Sequence, residues 1–274
     1  MIRGAGVPFA NQRPAVVYLA RGADKEPLTY FRRFVSSYKK FAAGTEHDLF
    51  IIFKGFRDHG ELRLGQAQFI KLPHTPIYVD DENFDIGAYR AAAEQIPHDL
   101  LCFLNTNSEI LSRDWLRKLL VNFEQPFIGL AGATGSYESL VALDTNFPRF
   151  PNIHIRSNAF IIRRGHVLQL FPNRIPDKKH AFFVESGHAS ITRRLLEMGL
   201  SIIVVGQNGR GYPPQWWPLS ETYRQSFQNN LLVHDNVTRE FEKTPWSGKK
   251  ALSRRTWGQY LDQNPMLLLP DRLS

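Results

Sequence analysis

The sequence predicts an α/β fold, a mostly parallel sheet flanked by helices, and three observations carry that prediction. Short apolar runs alternate with helix-spaced stretches through the first half of the chain. The runs lack the polar alternation of a half-exposed strand, so they predict strands covered on both faces. One of them, 101–104, ends in the small polar cluster Asn105-Thr106-Asn107-Ser108-Glu109. Open α/β sheets bind ligands outside the carboxyl ends of their strands, so a small polar molecule is expected there.

The elements follow in order. Residues 15–20 are a buried strand, and Leu28, Phe31, Phe34, Val35 and Tyr38 give 28–41 the spacing of an amphipathic helix. Gly44-Thr45 breaks the chain before a second strand at 48–53. A short strand at 76–79 enters the acidic loop Asp80-Asp81-Glu82-Asn83, and an Ala-rich helix spans about 86–95. After the strand at 101–104, Ser112 is the expected N-cap of a helix that begins with Trp115-Leu116. The second half is less regular. Strands are expected at 128–133, 158–162 and 201–205, and Ala181-Phe-Phe-Val184 places Glu185 at a strand end. A helix at 189–198 stops at Gly199, and the loop 206–218 is rich in Gly, Pro and Trp. Alternation through 152–158 sets His154, Arg156 and Asn158 on one strand face.

Composition bounds the function. The chain has 274 residues, 43% hydrophobic and 12% aromatic, enough for one large domain with its own core. No run approaches the ~20 apolar residues of a membrane helix, and 1–14 forms an N-terminal extension without a signal-type stretch, so a cytoplasmic protein is expected. Cys102 is the only cysteine, which excludes an intrachain disulfide and a cysteine-rich zinc site. The net charge of +8 favours an anionic partner.

The run Leu104-Asn-Thr-Asn-Ser-Glu109 followed by Trp115-Leu116 resembles the metal-site region of GT-A glycosyltransferases, especially the family 2-like bacterial enzymes. Asp85-Ile-Gly87-Ala-Tyr89 is similar to the segment that flanks the nucleotide there. Phe183-Val-Glu185-Ser-Gly187 falls where inverting members carry the catalytic base. The resemblance spans about 15–225 and leaves 226–274 as a basic, aromatic C-terminal extension. It implies a GT-A-like single domain that moves a sugar from a nucleotide-sugar donor to a saccharide or lipid-linked acceptor, as in bacterial surface polysaccharide or glycolipid assembly.

On this resemblance Glu185 is the base that deprotonates the acceptor. Asp85, Asn105, Asn107, Glu109, Arg156 and Asn158 hold the donor, with Trp216 and Trp217 in a loop that closes over the sugar. The sequence departs from the pattern at Asn105-Thr106-Asn107, which is a degenerate DxD triplet without a carboxylate. A divalent cation, Mn²⁺ or Mg²⁺, is therefore expected to be weakly held, by Asn107, Glu109 and His234, or absent. In its absence Arg156, Arg163, Arg210 or Lys178 would meet the departing diphosphate.

Lys243, Lys249, Lys250, Arg254 and Arg255 interleave with Trp246 and Trp257, a composition suited to peripheral contact with an anionic membrane through 239–258. Leu267-Leu-Leu269 follows. Packing of this region on its own domain, or on a second copy in a homo-oligomer, is the favoured reading beside it. No RNA- or DNA-binding module is present in the sequence pattern. Two other functions fit less well. A sugar-1-phosphate nucleotidyltransferase needs a Gly-rich cationic loop after its first strand, and 20–25 approximates it poorly. An inactive nucleotide-sugar or carbohydrate-binding protein would tolerate the missing carboxylates.

Overall fold

Alternate residues of the first strand, β1 (Ala15–Arg21), enter two different cores, and that pleat organises the molecule. Ala15, Val17 and Leu19 point to one face and Val16, Tyr18 and Ala20 to the other, all fully buried. The computed structural model describes residues 13–125 and 127–262.

The chain continues through α1 (Pro27–Lys40), β2 (Asp48–Lys54), α2 (His59–Ala67), β3 (Thr75–Tyr78), α3 (Phe84–Gln95), β4 (Leu100–Leu104), β5 (Glu109–Ile110) and α4 (Trp115–Phe123). Next come β6 (Ile128–Gly132), β7 (Gly135–Ser136), β8 (His154–Ile155), β9 (Ala159–Arg163), α5 (Arg164–Leu170), α6 (Lys178–Ser186) and α7 (Ile191–Glu197). The last elements are β10 (Ser201–Val205), β11 (Gly211–Tyr212), β12 (Val233–His234), α8 (Asn236–Lys243) and α9 (Trp246–Trp257). The main sheet has eight strands in the order β11-β10-β6-β9-β4-β1-β2-β3. All but β9 and β11 run the same way, so the expected mostly parallel sheet is present. Helices α1 and α4 cover one face through Phe31, Phe34, Trp115 and Leu119. Helices α3, α5, α7 and α9 cover the other through Tyr89, Val167, Leu195 and Trp257.

Three local expectations are corrected. Residues 178–186 form helix α6, not a strand, because Asp177 caps a helix there by accepting from the His180 N–H at 2.9 Å. Helix α4 starts after Asp114 in the left-handed region, while the Ser112 hydroxyl accepts from the Lys118 ammonium at 2.9 Å and caps nothing. The alternation through 152–158 yields only the two-residue strand β8, with a turn at Ser157-Asn158.

Residues beyond 225 are woven into the domain. β12 pairs with β5, Leu231 to Val233 sit in the core, and the buried Trp257 indole donates to the Tyr223 carbonyl at 2.9 Å. The triplet Leu267-Leu-Leu269, and most of the N-terminal extension, lie outside the described residues. Replacing Trp257 by Ala should lower unfolding stability by about 3–5 kcal/mol, read from urea denaturation. A loss within experimental error would show that this segment is an appendage.

Candidate active site

The carboxyl ends of β1, β2, β3 and β4 and the start of β9 meet at one rim of the sheet. Because β9 runs antiparallel beside β4, with Ala159 opposite Leu104, its first residues stand next to the polar cluster that follows β4. The Asn105 N–H donates to the Asn158 carbonyl at 2.9 Å, and the Ser108 hydroxyl donates to the same oxygen at 3.2 Å. The Asn105 side-chain oxygen accepts from the Asn107 N–H and the Ser108 hydroxyl, both at 3.1 Å. Asn105 thus folds the cluster into an Asx turn.

Glu185 reaches this rim from α6, and one carboxylate oxygen accepts from the Ser157 N–H at 2.9 Å. The side chain is partly exposed, and so is Asp85 at the start of α3. Burial lifts the Asp85 carboxyl to about 6; the Lys54 ammonium opposes this, and the Asp24 and Glu185 carboxylates reinforce it. The Tyr89 hydroxyl is buried among these groups with no hydrogen-bond partner, and burial, then the charges of Asp85 and Glu185, raise its pKa well above the usual phenol range. His154 lies close enough to feel the Glu185 charge, yet burial dominates and pulls its pKa down, so the ring is neutral near pH 7. Its Nδ1–H donates to the Asn152 carbonyl at 2.8 Å.

A cluster of paired charges lies near Asp85. Lys54 ends β2 with its side chain fully buried, and its ammonium donates to the Glu82 and Phe84 carbonyls at 3.2 and 2.8 Å. Asp81 lies 3.5 Å from it and receives both prongs of Arg21 at 3.0 Å, while Arg21 also donates to Asp24 at 3.0 Å. Burial pushes Asp81 up, but Arg21 and Lys54 outweigh it and hold the carboxyl below its ordinary value. Gly87 is dictated here: a Cβ would come within 2.2 Å of Asn83, which bends into the left-handed region to begin α3.

Beside the Asx turn a cavity of about 570 Å³ is lined by Tyr30, Arg33, Asn107, Arg239 and Lys243. Arg239 donates to the Asn107 carbonyl at 2.7 Å and to Glu109 at 3.2 Å, and Arg33 is 3.7 Å from the same carboxylate.

No known protein family matches the sequence, and no curated protein matches it. Among solved structures the chain is similar to a mannosyltransferase from Pyrobaculum calidifontis in complex with GDP-Man and Mn²⁺, at 11% identity and a TM-score of 0.50, covering 78% of this chain and 61% of that one. A 4-diphosphocytidyl-2C-methyl-D-erythritol synthase from Anaerococcus prevotii matches at 7% identity and a TM-score of 0.48, over 73% of this chain and 88% of that one. A glucosyl-3-phosphoglycerate synthase from Mycobacterium tuberculosis, with Mn²⁺, UDP and phosphoglyceric acid, matches at 12% identity and a TM-score of 0.40, over 58% of each chain. The likeness is one of fold: the chain has a GT-A-like sheet flanked by helices.

Several residues singled out in the sequence stand elsewhere. Trp217 is fully buried in the core, with its indole N–H on the Tyr212 carbonyl at 2.8 Å, so it cannot stack on a sugar. It packs where a Cβ on Gly135 would lie only 2.6 Å away. Trp216, on the same 3₁₀ turn, stays partly exposed. Arg156 is paired with the buried Asp235 at 2.8 Å and lies over the Tyr223 ring at 4.4 Å, a packed role that withdraws it from a ligand. The Asn158 side-chain oxygen accepts from Thr134 at 2.6 Å. Arg163, at the far end of β9, lies over the Phe123 ring at 5.4 Å, and Lys178 opens α6 with its ammonium 5.6 Å from the Phe182 ring centre. Arg210 is exposed between β10 and β11. These cations do not converge, whereas Arg33 and Arg239 do.

A resident metal does not fit. Among the described residues no three His, Cys, Asp or Glu side chains could hold an ion together. Glu109 is already paired with two arginines. The buried His234 spends Nδ1 on Thr238 and Nε2 on Glu242, both at 3.0 Å, and Asn107 adds an amide without charge. Among the described residues no helix is long and apolar enough to cross a membrane.

Asp85 yields a pH signature. Its folded pKa exceeds that of the unfolded chain, so the folded state binds the extra proton and loses stability as pH rises from about 4 through about 6. Replacing Asp85 by Asn should remove that slope and raise neutral-pH stability by roughly 2–3 kcal/mol. An unchanged slope in denaturation curves across this range would contradict the assignment.

Proposed function

We propose that the protein is a glycosyltransferase that uses a nucleotide-activated sugar and acts without a resident metal. The placement of Glu185 carries this reading: a partly exposed carboxylate, fixed by the Ser157 N–H, beside the polar turn at the end of β4. A carboxylate so placed accepts the proton of an acceptor hydroxyl as that oxygen attacks the anomeric carbon. The bond from that carbon to the diphosphate oxygen breaks, and the diphosphate leaves with the electron pair, inverting the centre. The mannosyltransferase of similar fold, solved in complex with GDP-Man, supports the donor class.

The departing diphosphate takes up negative charge, and guanidinium groups answer it by charge-assisted hydrogen bonds. Arg33 and Arg239 flank the turn where the diphosphate would lie, with Asn107 between them. Asp85, ionised above about pH 6, accepts from a donor hydroxyl or base N–H. Asn105 acts through the backbone turn it builds, and Glu109 by holding the two arginines. The acceptor is a saccharide or lipid-linked sugar, and the reaction belongs to surface polysaccharide or glycolipid assembly.

Glu185→Gln should abolish transfer while nucleotide binding, measured by calorimetry with UDP, GDP, dTDP and CMP, stays within about twofold. Normal turnover in that variant would remove Glu185 from the reaction. Arg33→Ala should weaken nucleotide diphosphate binding by about tenfold or more, with nucleoside monophosphates less affected. Transfer should also survive a chelator; its complete loss in chelator and recovery with Mn²⁺ would show that the diphosphate needs an ion. Pyrophosphate release from a nucleoside triphosphate and a sugar phosphate would instead identify a nucleotidyltransferase.

A further inference from the structure

Away from the rim, the C-terminal helices carry a surface that the chemistry above does not use. Phe227, Trp246 and Leu219 are exposed by 64, 56 and 47% respectively, and they adjoin one another, which makes a patch of them. Phe227 and Trp246 stack, with ring centres 6.3 Å apart and planes inclined by 28°. Lys249 sits over Phe227 at 5.4 Å and Lys250 over Trp246 at 5.8 Å. An adjoining groove of about 470 Å³ is lined by Leu219, Trp246, Lys249, Lys250 and Arg254.

The loop that presents Phe227 is held there against backbone preference. Glu221, Arg224, Ser226 and Gln228 all have positive φ, between 43 and 55°. Each such residue costs on the order of 1 kcal/mol, so the surroundings must enforce the shape. They do so through Gln228, which accepts from the Arg224 N–H at 3.0 Å and donates to the Thr238 carbonyl at 3.0 Å, and through Gln225, which donates to the Trp217 carbonyl at 2.6 Å. The buttressing faces inward and leaves the Phe227 ring outside.

We infer that this patch docks the protein on an anionic lipid surface, with Trp246 and Phe227 at the headgroup level and Lys250 and Arg254 on the lipid phosphates. Aromatic rings beside cations suit that interface, where a ring meets acyl chain and headgroup together. Opposing charge is limited: Glu221 in the groove accepts from Asn229 at 3.3 Å, and Asp262 stands 3.6 Å from Arg254. A second copy fits less well. Stable dimers bury roughly 800 Å² per partner, more than three side chains provide. The inference does not depend on the proposed sugar transfer.

Vesicle co-sedimentation of the full chain tests it. Vesicles of phosphatidylcholine with about 30% phosphatidylglycerol should pellet the protein at low salt, pure phosphatidylcholine should not, and ~0.5 M salt should release it. Lys250→Glu with Arg254→Glu should lower the partition coefficient by at least about twentyfold, at roughly fivefold per lost cation. Phe227→Ser with Trp246→Ser should lower it comparably with an unchanged circular dichroism spectrum, since all four side chains are exposed. Trp246→Phe should keep binding but lose fluorescence quenching by brominated lipid. No pelleting with anionic vesicles, equal pelleting with neutral ones, or binding indifferent to these substitutions would overturn the inference. So would a lipid-free dimer that Trp246→Ser dissolves.

Discussion

The hydrogen bond from the Asn105 N–H to the Asn158 carbonyl joins the end of one strand to the start of its antiparallel neighbour, and the arrangement of the candidate site depends on it. In an all-parallel sheet the strand beside β4 would present its far end at this rim. Reversing β9 instead delivers Ser157 and Asn158 there. Ser157 then offers a backbone N–H to Glu185, and Asn158 closes the Asx turn. Two segments separated widely in sequence are thereby fixed against each other by main-chain groups, which depend little on side-chain identity.

Charge is distributed around that junction in separate compartments. Arg21, Lys54, Asp24 and Asp81 form a paired wall whose members largely satisfy one another. Asp85 makes no such direct pair with a guanidinium, and burial outweighs the attraction of Lys54 and Arg21 there. Arg33 and Arg239 share a single carboxylate, Glu109, so two guanidinium groups balance one acid. Positive charge is therefore left over beside the turn.

Much of this architecture was legible in the sequence, and what escaped it did so for identifiable reasons. Doubly covered strands write themselves as continuous apolar runs, so β1, β2 and β4 and the polar cluster after β4 were readable. The run Ala181-Phe-Phe-Val184 is short enough to suit strand or helix, and the deciding signal was Asp177 as an N-cap. Helix α2 was missed although Asp58 caps it in the same way, accepting from the Glu61 N–H at 2.8 Å. Of the two adjacent tryptophans, only the fold shows which faces the core. Arg33 and Arg239 could not be paired in advance, because they meet through Glu109 and the β5–β12 contact, a long-range closure that leaves no local pattern. The basic character of the C-terminal region was plain and packing on its own domain was among the readings, but the anchoring of Trp257 on the Tyr223 carbonyl left no local pattern.

Lys54 has an implication for how the candidate pocket would meet a ligand. Asn83 and Phe84 both occupy the left-handed region, at φ of 63 and 51°, and the Lys54 ammonium is bonded to the carbonyls of Glu82 and Phe84 on either side of Asn83. Opening that corner would take both carbonyl acceptors from a buried cation and leave it only the Asp81 carboxylate, a costly rearrangement. The segment leading to Asp85 is thus shaped by the fold alone, and a ligand of the kind proposed would meet this flank already formed. Whatever adaptation accompanies binding must fall to other parts of the rim.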